Sequence, residues 1–239
     1  MRKNNIFIAC DSTKIKNIKR IIKNTSNSGL NIGYKFGLEF INSKFGRNYL
    51  STLKNKIIFL DLKLHDIPNT CLSAIKAIRD LKPNYVTIHI SSGIEALKAV
   101  KKISKKIKIV GVTTLTSLDS KSLKDIGYNK SVKSLVIHQA KLARRANLDA
   151  IVCSGDEVKL IKKFFKKETI TPGIRLDSKN NDQKRIITPK NAYKNGSNWL
   201  VIGRPISEAS NPKDIMENII KTINEISNQN VSTKEGLDT

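Results

Sequence analysis

A single-domain (β/α)8 barrel is the fold this sequence predicts, on three observations. Eight short apolar segments are spaced along the chain, helix-patterned stretches separate them, and no linker, composition break or internal repeat divides the 239 residues. Strands alternating with helices imply a parallel sheet, and eight parallel strands close into a barrel. The length suits one such unit.

Taken in order, the predicted strands are Ile6–Cys10, Ile32–Phe36, Ile57–Leu62, Tyr85–Ile90, Ile107–Val112, Ala150–Cys153, Thr169–Thr171 and Trp199–Ile202. Several are nearly continuous runs of Ile, Val and Leu, as strands covered on both faces must be. After the first strand, Ile15, Ile18, Ile21 and Ile22 form one helical stripe. Leu72, Ile75, Ile78 and Leu81 repeat the pattern after the third, and Ile215, Ile219, Ile220 and Ile223 predict a closing helix. The polar stretch 176–184 reads as one mobile loop after the seventh strand. The barrel is expected to occupy residues 1–227. The remainder, 228–239, is polar and aperiodic and is expected to be a disordered tail.

Composition removes several classes. No apolar run approaches the roughly 20 residues of a membrane span, and the N-terminus lacks the pattern of a cleaved leader, so a cytoplasmic protein is expected. Cys10, Cys71 and Cys153 are too few and too scattered for a disulfide framework or a zinc site, and read as small buried hydrophobes in a reducing compartment. The net charge of +24 raises the question of nucleic acid. However, Lys101, Lys102, Lys105 and Lys106, like Lys162, Lys163, Lys166 and Lys167, recur as solvated outer faces of helices. Aromatic residues, 5% of the chain, do not interleave with them as a stacking platform would require. Neither a nucleic-acid nor a membrane partner is expected. The positive field would draw in an anionic small molecule.

In such a barrel, chemistry sits where strands end. Asp11 closes the first strand and Lys35 the second; Asp61, Lys63 and Asp66 close the third; Arg175 follows the seventh, and Gly203-Arg204 the eighth. Asp61 and Lys63, two apart on a strand, share a face, while Leu60 and Leu62 take the other. A carboxylate and an ammonium thus point together into the mouth. Lys35 on the neighbouring strand extends them towards a Lys-Asp-Lys-Asp chain, and Pro68 fits the first turn of the next helix. On this segment alone, a structural salt bridge at a strand end is the competing explanation. Of the histidines, His89 ends the fourth strand and suits a packing or hydrogen-bonding role, His65 is expected to point away from the reacting centre, and His138 falls on a helix.

The run Asp61-Leu62-Lys63-Leu64-His65-Asp66-Ile67-Pro68-Asn69-Thr70 resembles the signature of the orotidine 5′-phosphate decarboxylases. The likeness covers roughly residues 5 to 215. It takes in Lys35-Phe36-Gly37-Leu38-Glu39, Val112-Thr113-Thr114-Leu115-Thr116-Ser117, Thr171-Pro172-Gly173-Ile174-Arg175, Asn181-Asp182-Gln183 and Val201-Ile202-Gly203-Arg204-Pro205-Ile206, in that order. The DxKxxD core is shared with a wider group of phosphosugar enzymes; the combination is far more specific. Two positions depart from the family: Ser12-Thr13 after Asp11, and Ile90-Ser91-Ser92-Gly93 in place of small residues after His89.

The resemblance implies a cofactor-free, metal-free enzyme that converts orotidine 5′-phosphate to UMP and CO2 in pyrimidine biosynthesis. It implies that Lys63 protonates C6 of the pyrimidine and that Asp61 lies near the substrate carboxylate and holds Lys63. Asp11 and Lys35 would bind the ribose hydroxyls, and Thr116 the ring. Gln183, Gly203 and Arg204 would hold the phosphate, with Arg175 nearby. Asp66 and Thr70 would reach into the partner's site of a homodimer. Two rivals remain: a metal-dependent sugar-phosphate decarboxylase or synthase of the same superfamily, and a basic nucleic-acid-binding protein.

Overall fold

The computed structural model describes residues 5–26, 29–175 and 187–235, with side chains as far as Ile223. Eight parallel strands close in the order of the chain: β1 (Asn5–Ala9), β2 (Asn31–Gly37), β3 (Ile57–Leu64), β4 (Tyr85–His89), β5 (Lys108–Val112), β6 (Ala150–Val152), β7 (Glu168–Thr171) and β8 (Trp199–Ile202), with β1 paired to β8. The helices are α1 (Ile15–Thr25), α2 (Leu38–Ile41), α3 (Gly46–Thr52), α4 (Pro68–Ala77), α5 (Ile94–Ile103), α6 (Ser120–Asp125), α7 (Val132–Arg145), α8 (Val158–Phe164), α9 (Pro189–Lys194), α10 (Arg204–Ser207) and α11 (Pro212–Glu235). All eight expected strands are present, with ends shifted by at most two residues.

Alternation along the strands sorts two cores. Ile6, Ile8, Tyr34, Phe36, Ile58, Leu60, Val86 and Ile88 point outward, against helix residues such as Ile18, Ile21, Ile75, Leu97 and Val100. Phe7, Phe59, Tyr85, Val110, Ala150, Ile170 and Trp199 point inward and fill the barrel. The Phe7 ring stacks on Trp199 at 4.0 Å and lies 4.8 Å from Phe59 and 5.1 Å from Tyr85. Beneath this aromatic layer the Tyr85 hydroxyl donates to Glu168 (3.0 Å), which also pairs with Lys108. The floor of the barrel is therefore solid.

Gly33 makes room for that floor. A Cβ there would fall 2.5 Å from Cε1 of Phe7, whose ring is held on its other sides. Gly33→Ala is expected to cost about 1–3 kcal/mol through overpacking, read as a lowered denaturant midpoint. An unchanged midpoint would contradict a rigid floor.

Four expectations are refined. The stripe Leu72–Ile78–Leu81 runs past its helix, because α4 ends at Ala77 and Leu81 is carried by a short 3-10 turn, Arg79–Leu81. The tail boundary expected at Asn228 falls inside α11, which continues to Glu235 since no Gly or Pro interrupts it before Gly236. Residues 236–239, like the loop 176–186, lie outside the described residues. Lys101 and Lys162 are not part of the solvated lysine faces: Lys101 pairs with Asp149 at 2.7 Å, and Lys162 donates to the Asn198 side chain at 2.7 Å, their stems lying along the surface. Lastly, the unusual Ile90 is fully buried, and Gly111 opposite it accommodates the bulk, since a Cβ there would meet Ile90 Cγ1 at 2.8 Å.

Candidate active site

One layer above the aromatic floor the inward positions turn polar, because Phe7, Gly33, Phe59 and Trp199 share their strand faces with Asp11, Lys35, Asp61 and Gly203. Together with Lys63, Thr116, Arg175 and Arg204, these four residues line a cavity of about 310 Å³ at the C-terminal end of the strands, a volume within the range of small-molecule sites. Ala9, Phe59, Val112, Val152 and Val201 form its apolar base.

Its charges form a continuous line. Asp11 accepts from Lys35 Nζ at 3.1 Å. Lys35 Nζ is 3.8 Å from Asp61 Oδ2, and the same oxygen accepts from Lys63 Nζ at 2.7 Å. The middle pair is well covered, with 12% of the Lys35 side chain and 13% of the Asp61 side chain exposed, whereas Lys63 at 36% opens to the mouth. Burial alone would raise the pKa of Asp61. Lys35 and Lys63, with hydrogen bonds from Lys63 and Thr87, outweigh it and hold the carboxyl below its usual range. Burial would likewise lower Lys35, but Asp61 and Asp11 hold it above the ordinary lysine value. Both groups therefore keep their charges at neutral pH. In the outer core next to Asp11, the buried Cys10 thiol is pushed up by burial and by Asp11, so it stays protonated.

Lys63 departs from regular strand geometry. Its φ is +48°, in the left-handed region that costs a non-glycine residue roughly 1–2 kcal/mol. Between the pairs Leu60↔Val86 and Leu64↔Ile88 the register shifts: β3 carries Asp61, Leu62 and Lys63 where β4 carries Thr87 alone. Such bulges re-aim side chains beside active sites. Here the bulge lifts the ammonium over Asp61 while Leu62 still packs outward.

The other predicted residues fall into three groups. Thr116 lines the cavity from the loop after β5, and that loop is anchored where Gln139 Oε1 of α7 accepts from the Thr114 backbone N–H (2.9 Å) and hydroxyl (3.2 Å). Arg175 follows β7, where its backbone N–H donates to Ile187 O (3.1 Å) and Ile187 N–H returns to Gly173 O (3.2 Å), a clasp between the segments flanking 176–186. Gly203 and Arg204 follow β8 beside it. Gln183 lies outside the described residues. Asp66 and Thr70 do not line this cavity. Both are exposed, Thr70 within α4, which opens on Pro68 as expected. Asp66 makes no ion pair among the described residues, and its carboxylate accepts from the backbone N–H of Ile67 at 2.7 Å.

His89 ends β4, 5.2 Å from the His65 ring, and its pKa is lowered by burial, then by His65 and Lys63, with Asp61 opposing. A histidine kept neutral beside the ammonium suits packing rather than proton transfer. Two contributors went unseen in the sequence. Gln139 reads there as an ordinary polar helix residue. Thr87 reads as a β-branched strand former.

Residues 4–219 match the family described as "Orotidine 5'-phosphate decarboxylase / HUMPS family". An orotidine 5′-phosphate decarboxylase of Sphingopyxis alaskensis is 44% identical over 191 residues, covering 75% of this chain and 82% of the relative. That of Mannheimia succiniciproducens is 37% identical over 230 residues, covering 92% and 97%. Among solved structures, an orotidine 5′-phosphate decarboxylase from Lactobacillus acidophilus superposes with a TM-score of 0.79 at 30% identity, over 91% of this chain and 98% of that one.

Proposed function

The chain belongs to the orotidine 5′-phosphate decarboxylase / HUMPS family, and from that premise we propose that it converts orotidine 5′-phosphate to UMP and CO2, with Lys63 as the proton donor. The observation that carries this reading is the alternating line Asp11–Lys35–Asp61–Lys63 over an apolar base. When CO2 leaves C6, the electron pair stays in the ring plane, where the π system cannot take it up. Fixed charge and a ready proton must supply the stabilisation, and sites preorganised in this way account for large rate enhancements. In this reading the C6–carboxyl bond breaks, the pair remains on C6, and a proton passes from Lys63 Nζ to C6. The neutral amine is then reprotonated from solvent. Asp61 holds the ammonium and faces the departing carboxylate, and Asp11 and Lys35 take the ribose hydroxyls.

Thr116 would meet the ring. Arg175, Gly203, Arg204 and Gln183 would take the phosphate, a task that barrels commonly assign to the loops after strands seven and eight. Binding energy from that remote group can be used at the reacting carbon. Two ammoniums against Asp61 disfavour the metal-dependent rival, since they already compensate the carboxylate and would repel a divalent cation. The exposure of Asp66 and Thr70 supports a homodimer in which both reach the partner's cavity.

The test is a spectrophotometric assay of purified protein on orotidine 5′-phosphate in excess EDTA. Sustained turnover is expected. Inactivity on this substrate together with EDTA-sensitive turnover of a keto-sugar phosphate would overturn the assignment.

A further inference from the structure

We propose that Thr87 is a positioning residue for decarboxylation, its hydroxyl setting the Lys63 backbone and the Asp61 carboxylate at once. The inference rests on the function proposed above. Thr87 shares its strand face with Tyr85 of the floor and is fully buried, so it touches no substrate. Its Oγ1 accepts from the Lys63 backbone N–H at 2.7 Å and donates to Asp61 Oδ1 at 3.0 Å. The direction of both bonds is fixed by chemistry: an N–H can only donate and an ionised carboxylate can only accept, so the single hydroxyl proton goes to Asp61.

The need for this hydroxyl follows from the bulge. With three residues of β3 facing one of β4, the Lys63 N–H cannot follow the regular ladder, and the Thr87 side chain takes that role. A buried N–H must find an acceptor, and the one it finds is bonded to the same carboxylate that receives the Lys63 ammonium at 2.7 Å. Thr87, Asp61 and Lys63 thus form a closed circuit: hydroxyl to carboxylate, ammonium to carboxylate, backbone to hydroxyl. A valine of equal shape opens it at two points. The Lys63 N–H loses its acceptor, which frees the backbone to leave φ +48°, and the Asp61 carboxylate loses one of its two hydrogen-bond donors among the described residues.

Wild type, Thr87→Val and Thr87→Ser are to be compared for kcat, KM and the pH dependence of kcat on orotidine 5′-phosphate. Misplacing a reacting group by about an ångström lowers rates by up to about 100-fold, so a drop in kcat of about 10- to 100-fold is expected for valine, with KM little changed because the phosphate residues are untouched. Serine should restore most of the rate. The acid limb of the valine profile should move to higher pH, since a hydrogen bond that holds the Asp61 pKa down is lost. A valine variant with wild-type kcat and an unmoved acid limb overturns the proposal, as does a serine variant as slow as valine, which would place the effect in methyl packing. Should valine not fold, as judged by circular dichroism, Thr87→Ala removes the hydroxyl without adding bulk and is read by the same criteria. Wild type inactive on this substrate overturns the parent reading and this inference with it, whereas active wild type with an indifferent valine variant overturns the inference alone.

Discussion

Lys63→Ala is expected to abolish decarboxylation while leaving a folded barrel. General acid catalysis is worth roughly 10²- to 10⁴-fold, and a fixed charge at a developing anion about 10²- to 10³-fold more. Removing both at one residue should lower kcat by at least about 10⁴-fold. The fold should survive because Lys63 opens to the mouth and Asp61 keeps Lys35 at 3.8 Å and Thr87 at 3.0 Å as partners. The backbone strain at residue 63 is also local, with β3 paired normally to β2 throughout Gly33↔Ile57 to Gly37↔Asp61. Single-turnover assays and a thermal melt check both halves of the statement. Activity within tenfold of wild type would remove Lys63 from the role of proton donor.

The second large effect is a gain. Asp66→Asn and Lys63→Ala chains, each inactive alone, are expected to recover activity when mixed and allowed to exchange subunits. In a twofold dimer with shared sites, a heterodimer carries one site with both intact residues and one with neither. Random pairing makes half the dimers mixed, so recovery should approach about one quarter of wild-type activity. The motive is the geometry of the single chain, in which Asp66 stands exposed, outside the cavity that holds Lys63, with its carboxylate accepting from the Ile67 backbone N–H. Native mass spectrometry would establish exchange. Proven exchange without recovery would confine each site to one chain.

Much of this was legible in the residues, for identifiable reasons. Strands covered on both faces must be apolar throughout, so the eight segments stand out. Two-residue alternation puts Asp61 over Phe59 and Lys35 over Gly33 without knowledge of the barrel. At Lys63 the same rule names the right side of the strand, since Lys63 joins Asp61 in the cavity, but not the backbone that puts it there. Alternation assumes extended backbone, and nothing in Leu62-Lys63-Leu64 announces a left-handed residue or a three-against-one bulge, while the hydroxyl that accepts from the Lys63 N–H there belongs to Thr87 on the next strand. Gln139 was hidden in the same way, its task defined only once α7 lies against the loop bearing Thr114. The signature read as a unit also conceals a division in space: Asp61 and Lys63 enter the cavity of their own chain, while Asp66 and Thr70, a few positions on, stand exposed outside its lining.

The stacked rings of Phe7 and Trp199, with Phe59 and Tyr85 about them, make the barrel a cup rather than a tube. Traffic in a cup is one-way-in, same-way-out. The packed rings close the floor among the described residues and leave no way there for an incoming molecule to flush the previous one through, so whatever forms at the bottom has to vacate before a successor can be seated.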